Sequence, residues 1–190
     1  MKFRYMPFTQ QPYCCVPACF QMVMYKRGIP LIPQEEMAYA LGLTVPEKEA
    51  YLFAKVRTGK KPSAGWGTQI NLPEYEVNRV FPQLDIPLSM VRLSTKDFET
   101  PAQLAELLEK VQAQDGDALL CFDYGKLWGL EFTGGHVCVF NSIDKNVVTI
   151  IDPERNVPKI RTVSIDKLFK AMDFHGEHNS TGVWEIEHTD

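Results

Sequence analysis

No stretch of this 190-residue chain approaches the ~18 consecutive apolar residues that a membrane-spanning helix needs. Residues 1–15 contain no apolar run of the kind a secretory signal carries. The chain is therefore expected in the cytoplasm rather than exported by that route. Basic charge is not in excess either. Twenty Lys and Arg against 24 Asp and Glu leave a net charge of −4, which gives no electrostatic basis for binding nucleic acid or an anionic membrane. There is no internal repeat and no low-complexity segment. There is no Cys-x-x-Cys knuckle: Cys14, Cys15 and Cys19 form an adjacent pair and an i, i+4 pair, a poor spacing for a metal site. The cysteines number five, an odd count that cannot pair fully within one chain, so reduced thiols are expected. No metal and no cofactor is implied.

What remains is an ordinary globular composition, 45% hydrophobic and 23% charged, long enough to bury a core without staples. The expected organisation is one domain over residues 1–190, with a helical lobe over about 12–114 and a sheet lobe over about 117–190. Pro17 and Gly28 bracket a helix over Val16–Lys26. Its apolar residues cover more than one stripe, so it should lie buried between layers. A second helix is expected over Gln34–Leu41, a third over Glu47–Arg57 and a loop over Thr58–Trp66. Residues 68–98 give no clear pattern. Thr100, Pro101 and Gln103 spell a capping box for a helix reaching Gln114. Strands follow over Ala118–Tyr124, Val137–Ile143 and Val147–Ile151, the last two joined by a turn at Asp144–Asn146. Ser164 should cap a short helix, Ile165–Met172, and Gly182–Glu187 reads as a final strand. Helices early and antiparallel strands late argue an α+β fold with a cleft where the halves meet.

Chemistry concentrates at the ends of these elements. Cys15 sits at the start of the first helix, where unpaired backbone N–H groups and the positive end of the dipole favour a thiolate. A thiolate attacks carbonyl carbon. The cysteines taken alone read rather as small core residues. His136 opens the Val137 strand directly after Gly134 and Gly135, which leave room for a substrate backbone. Asp152 ends the partner strand, and the hairpin returns it to the neighbourhood of His136, where a carboxylate would fix the ring's tautomer. Without that partnership Asp152 is merely a turn residue before Pro153. Gln11, four residues before Cys15, could donate to an oxyanion, with Gln10 the competing choice. His175, His178 and His188 lie in polar surroundings and read as solvated, with His175 and His178 at most a weak metal pair.

Together, Gln11-Pro12-Tyr13-Cys14-Cys15-Val16-Pro17-Ala18, Gly135-His136-Val137-Cys138-Val139 and Ile150-Ile151-Asp152-Pro153 resemble the bacteriocin-leader (double-glycine) processing peptidases. More broadly they resemble the stand-alone relatives of that family among papain-like cysteine peptidases. The resemblance implies a papain-like fold, with the nucleophile helix packed on an antiparallel sheet. It also implies Cys15, His136, Asp152 and Gln11 as catalytic residues and a peptide or protein as substrate. Val16 stands where the family usually has glycine, and Cys14 adds a second thiol. The implied activity is a cysteine peptidase or amidase working through a thioester. An acyltransferase with the same triad and a catalytically silent papain-like interaction module are the alternatives. Nothing in the sequence bears on oligomeric state.

Overall fold

The computed structural model describes residues 4–53 and 61–189. The first helix, α1, spans Cys15–Arg27. Gly28 ends it at φ 71°, with its N–H on Tyr25 and the following Ile29 N–H on Met24, so the last carbonyls are satisfied. Lys26 and Arg27 place positive charge at its C-terminal end. Helix α2 covers Gln34–Ala40. Two short parallel strands follow, β1 (Thr44–Val45) and β2 (Ser63–Ala64), with a 3-10 helix over Glu47–Phe53 between them. The third helix expected over Glu47–Arg57 is thus 3-10 as far as Phe53. Its remainder, and the start of the loop expected over Thr58–Trp66, lie outside the described residues. Residues 68–98, unpatterned in sequence, form the one-turn helix α3 (Val77–Val80), short 3-10 turns and strand β3 (Leu88–Leu93).

Helix α4 (Pro101–Ala113) carries the expected capping box: Thr100 Oγ accepts from Gln103 N, and Gln103 Oε1 accepts from Thr100 N, both at 3.2 Å. Then come β4 (Asp117–Asp123), a short helix α5 (Tyr124–Trp128), β5 (Gly135–Asp144) and β6 (Val147–Ile151). Strand β7 (Ile160–Ser164), unforeseen in sequence, leads through the Ser164 cap into α6 (Ile165–His175), and β8 (Gly182–His188) closes the chain.

Strands β3 to β8 form one antiparallel sheet in the order β3-β8-β4-β5-β6-β7. The fold is α+β, and β3, from within the lobe over about 12–114 expected to be helical, supplies an edge of this sheet. Both faces of the sheet are covered. Leu119, Cys121, Val137, Val139 and Ile151 face α1, whereas Leu120, Phe122, Cys138, Phe140 and Ile150 face α4 and α6. That is why α1 is apolar nearly all round: it packs on the sheet with one side and on α2 and the 77–86 segment with the other. Phe20, fully buried, meets Phe81 edge to face at 4.7 Å; burying one such ring contributes roughly 1.5–3 kcal/mol. The far end of α1 is pinned by charge. Buried Asp117, at the start of β4, accepts from Lys26 at 2.8 Å, from Arg27 at 2.5 Å and from the Tyr5 hydroxyl at 2.6 Å. Held in this way, α1 presents Cys15, at its N-terminal end, to a cleft that His136 at the start of β5 also lines. Among the described residues, no helix is long and apolar enough to cross a membrane.

Candidate active site

Cys15 is the first residue of α1 and is half-buried, whereas Cys14, Cys19, Cys121 and Cys138 are all buried. Burial pushes the thiols of those four upward, so they stay protonated and inert near neutral pH. A tight turn delivers the chain to Cys15: Cys14 N–H bonds the Gln11 carbonyl at 3.0 Å, and Tyr13 adopts φ 61°.

His136 leads β5, as expected, and is almost wholly buried. The β5–β6 register pairs Val139 with Ile151 and Phe140 with Ile150. Continued past the strand end, it brings Asp152 to the same face as His136, one diagonal step away. The ring Nε2 meets Asp152 Oδ1 at 2.8 Å, and the Cys15 thiol is near enough to act on the ring's protonation. Burial alone would pull the imidazole toward neutrality. The bond to Asp152 and the neighbouring Cys15 thiol outweigh it and push the pKa up to about 9. Asp152 shows the converse balance: burial would lift its pKa, but the bond to His136, the Glu154 backbone N–H and Arg161 hold it below the usual carboxylate range.

Arg161 is a residue the sequence did not mark. From β7 it reaches one step diagonally to Asp152 Oδ2 at 3.0 Å, and the same nitrogen donates to the Tyr124 hydroxyl at 2.9 Å. Its guanidinium lies 3.3 Å from the centroid of the Trp128 ring. Tyr124 in turn meets the His136 ring edge to face at 4.7 Å. The His136 ring is thus clamped by the carboxylate that follows β6, a cation from β7 and an aromatic ring from α5.

The two glutamines part company here. Gln11 is exposed; its backbone N–H bonds Gln34 Oε1 at 2.7 Å, and its side chain does not line the cleft that Cys15 opens into. Gln10 does line that cleft. Its backbone N–H bonds the Pro153 carbonyl at 2.8 Å, and its side-chain nitrogen donates to Glu154 at 3.0 Å. His175, expected to be solvated, also faces the cleft; its ring packs so close to Gly135 that a Cβ there would come within 2.7 Å of it. Burial holds its pKa down, only partly offset by Asp123 and the Asn179 backbone. His178 and His188 are exposed, as expected.

The cleft measures about 1700 Å³ and runs between the α1 N-terminus, the 66–71 loop, the 130–135 loop and the 154–157 loop. Exposed Trp66, Phe132 and Phe174 stand on its rim. Among the described residues one group of metal-capable side chains comes together: His136, Cys138 and Asp152, with ligand atoms within 4.8 Å. Both Asp152 oxygens are already engaged, one of them by a guanidinium, and the Cys138 thiol is held protonated by burial. These three residues fit a hydrogen-bonded cluster better than a cation site.

No protein-family model matches the chain, and no curated protein matches it in sequence. Its fold is similar to that of a solved structure described as a "putative C39-like peptidase from Bacillus anthracis", with a TM-score of 0.58 over 100% of both chains at 13% identity. At that identity the likeness is one of fold alone.

Proposed function

We propose that this chain is a cysteine peptidase or amidase with Cys15 as nucleophile, His136 as base and acid, Asp152 as the group that orients His136, and Gln10 as oxyanion donor in place of Gln11. One observation supports this above the rest: buried His136 is bonded to the Asp152 carboxylate and shares its cleft with the Cys15 thiol, which is near enough to raise its pKa. A histidine satisfied for structural reasons alone has no need of a half-exposed thiol at a helix N-terminus as its neighbour. In the reaction, Cys15 Sγ bonds to the carbonyl carbon of a peptide or amide. The C–N bond then breaks, and the amine leaves with a proton from the His136 imidazolium. The thioester is next attacked by water, whose proton passes to His136; the bond between the acyl carbon and Sγ breaks, the carboxylic acid departs and the Cys15 thiolate is regenerated. Gln10 serves as donor because its amide, unlike that of Gln11, faces the cleft. Substrates with apolar side chains would cover Trp66, Phe132 and Phe174 on the rim.

The test is intact-mass analysis after treatment with a peptidyl chloromethyl ketone, together with cleavage of an internally quenched peptide library. A single adduct on Cys15 is expected, with cleavage lost in Cys15→Ala at an unchanged melting profile and lost in His136→Ala, which should stay folded with a lowered midpoint. A wild-type protein that is neither labelled nor active would make the chain a silent scaffold.

A further inference from the structure

The segment after β6 holds two parts of the site at once. Asp152 takes the ring of His136, the Pro153 carbonyl takes the backbone N–H of Gln10, and Glu154 takes the Gln10 side-chain amide. The Glu154 carboxylate is itself held in place. Its Oε1 accepts the Arg155 backbone N–H at 2.7 Å, leaving Oε2 for Gln10, and its main-chain carbonyl is bonded by Lys159.

A carboxamide has two nearly isosteric orientations, related by a half-turn of its last torsion, one presenting N–H and the other C=O. An ionised carboxylate only accepts. Opposite Glu154, the Gln10 amide therefore has one favourable orientation, with Nε2 toward the carboxylate. Nε2 carries two hydrogens. Glu154 takes one, and among the described residues no acceptor takes the other. The price is visible: Gln10 Oε1 is buried without a partner. Turning the amide over would relieve that atom only by setting oxygen against oxygen at Glu154.

We propose that Glu154 is a positioning residue that selects the amide orientation of Gln10, so that a free N–H rather than a carbonyl serves the oxyanion formed at Cys15. This rests on the reading of Gln10 as the oxyanion donor. Glu154 touches neither substrate nor thiol in this role; it acts only through Gln10. The bland alternative is a tether that fastens the N-terminal segment to the 153–154 turn.

Two rates separate these. Acylation by p-nitrophenyl acetate, followed as a single turnover through p-nitrophenolate release, forms an oxyanion. Alkylation by iodoacetamide is a displacement at saturated carbon and forms none, so it reports the Cys15–His136 pair alone. Both are measured on the wild type, Glu154→Ala, Glu154→Gln, Gln10→Ala and the Glu154→Ala/Gln10→Ala double variant, with a melting curve for each. Glu154→Ala is expected to slow acylation about ten- to a hundred-fold at unchanged alkylation, less than the roughly hundred- to thousand-fold expected for removing a donor outright. It should add nothing in the Gln10→Ala background. Glu154→Gln should fall between, because its amide still accepts but also tolerates the flipped Gln10. If Gln10→Ala is slow while Glu154→Ala matches the wild type, Glu154 has no positioning role although the donor stands. If Gln10→Ala acylates at the wild-type rate, the donor assignment itself is wrong. Parallel loss of acylation and alkylation in Glu154→Ala, or a further loss in the double variant, would leave only the tether.

Discussion

The proton on His136 links the proposed chemistry to stability, and the link has a definite sign. The folded-state pKa, about 9, lies above the ordinary 6.5. The unfolded chain therefore gives up this proton more readily, and the group stabilises the fold fully below pH 6.5 and progressively less as pH rises through about 9. At ~1.36 kcal/mol for each tenfold change in proton affinity, the interval corresponds to about 3 kcal/mol. His136 is almost wholly buried, so little of this is lost to solvent screening. Many other groups titrate between pH 6 and 10, and a difference measurement removes them. Urea unfolding of the wild type and of His136→Gln, in reducing buffer at a series of pH values, should give stabilities that converge as pH rises. The gap should shrink by about 3 kcal/mol between pH 6 and pH 10. In Asp152→Asn the largest interaction raising the pKa is gone, burial prevails, and the pH dependence attributable to His136 should vanish or reverse. Parallel wild-type and His136→Gln curves across this range would refute the imidazolium–carboxylate pairing, whatever the geometry.

Brief iodoacetamide treatment followed by peptide mapping should label Cys15 far ahead of Cys14, Cys19, Cys121 and Cys138, whose thiols are buried and held protonated; comparable labelling of Cys14 would remove Cys15 as nucleophile. Arg161→Met should cost roughly 1.5–3 kcal/mol, the usual worth of a hydrogen bond to a charged group, and should disturb Trp128 fluorescence because the guanidinium lies on that ring; an unchanged denaturation midpoint would mean that the Asp152 clamp does not depend on it. Gly125→Ala drives a Cβ to within 1.6 Å of the Phe132 carbonyl oxygen, so the 130–135 loop must move. A loss of about 1–3 kcal/mol is expected, or roughly 2–4 °C in melting temperature for each kcal/mol. Wild-type stability in that variant would show that the loop is not held where the structure puts it.

Local physics sufficed for much of this protein. Pro17 and Gly28 mark a helix start and stop because one lacks an N–H and the other tolerates positive φ. Thr100 and Gln103 bond each other across one turn. A hairpin about Asp144–Asn146 must return the Asp152 end of one strand to the His136 end of the other. Those features depend on residues within a few positions of each other, or across one turn, and they carried Cys15, His136 and Asp152 as candidates for nucleophile, base and orienter. Strand β3 was also within reach, since Leu88 and Met90 point inward while Ser89 and Val91 point outward, but Pro82 and Pro87 obscured the alternation. Only the tertiary structure decided between Gln10 and Gln11. The choice hangs on a turn through Tyr13 at positive φ and on Pro153 and Glu154, over 140 residues away, which bond Gln10. It likewise decided that Arg161 clamps Asp152, because that needs the register of a third strand, and that His175 enters the cleft, because that needs α6 packed against Gly135. Side-chain chemistry and short-range geometry can be read along a chain. Which of two neighbouring side chains faces a cleft depends on the long-range packing that closes the cleft around it.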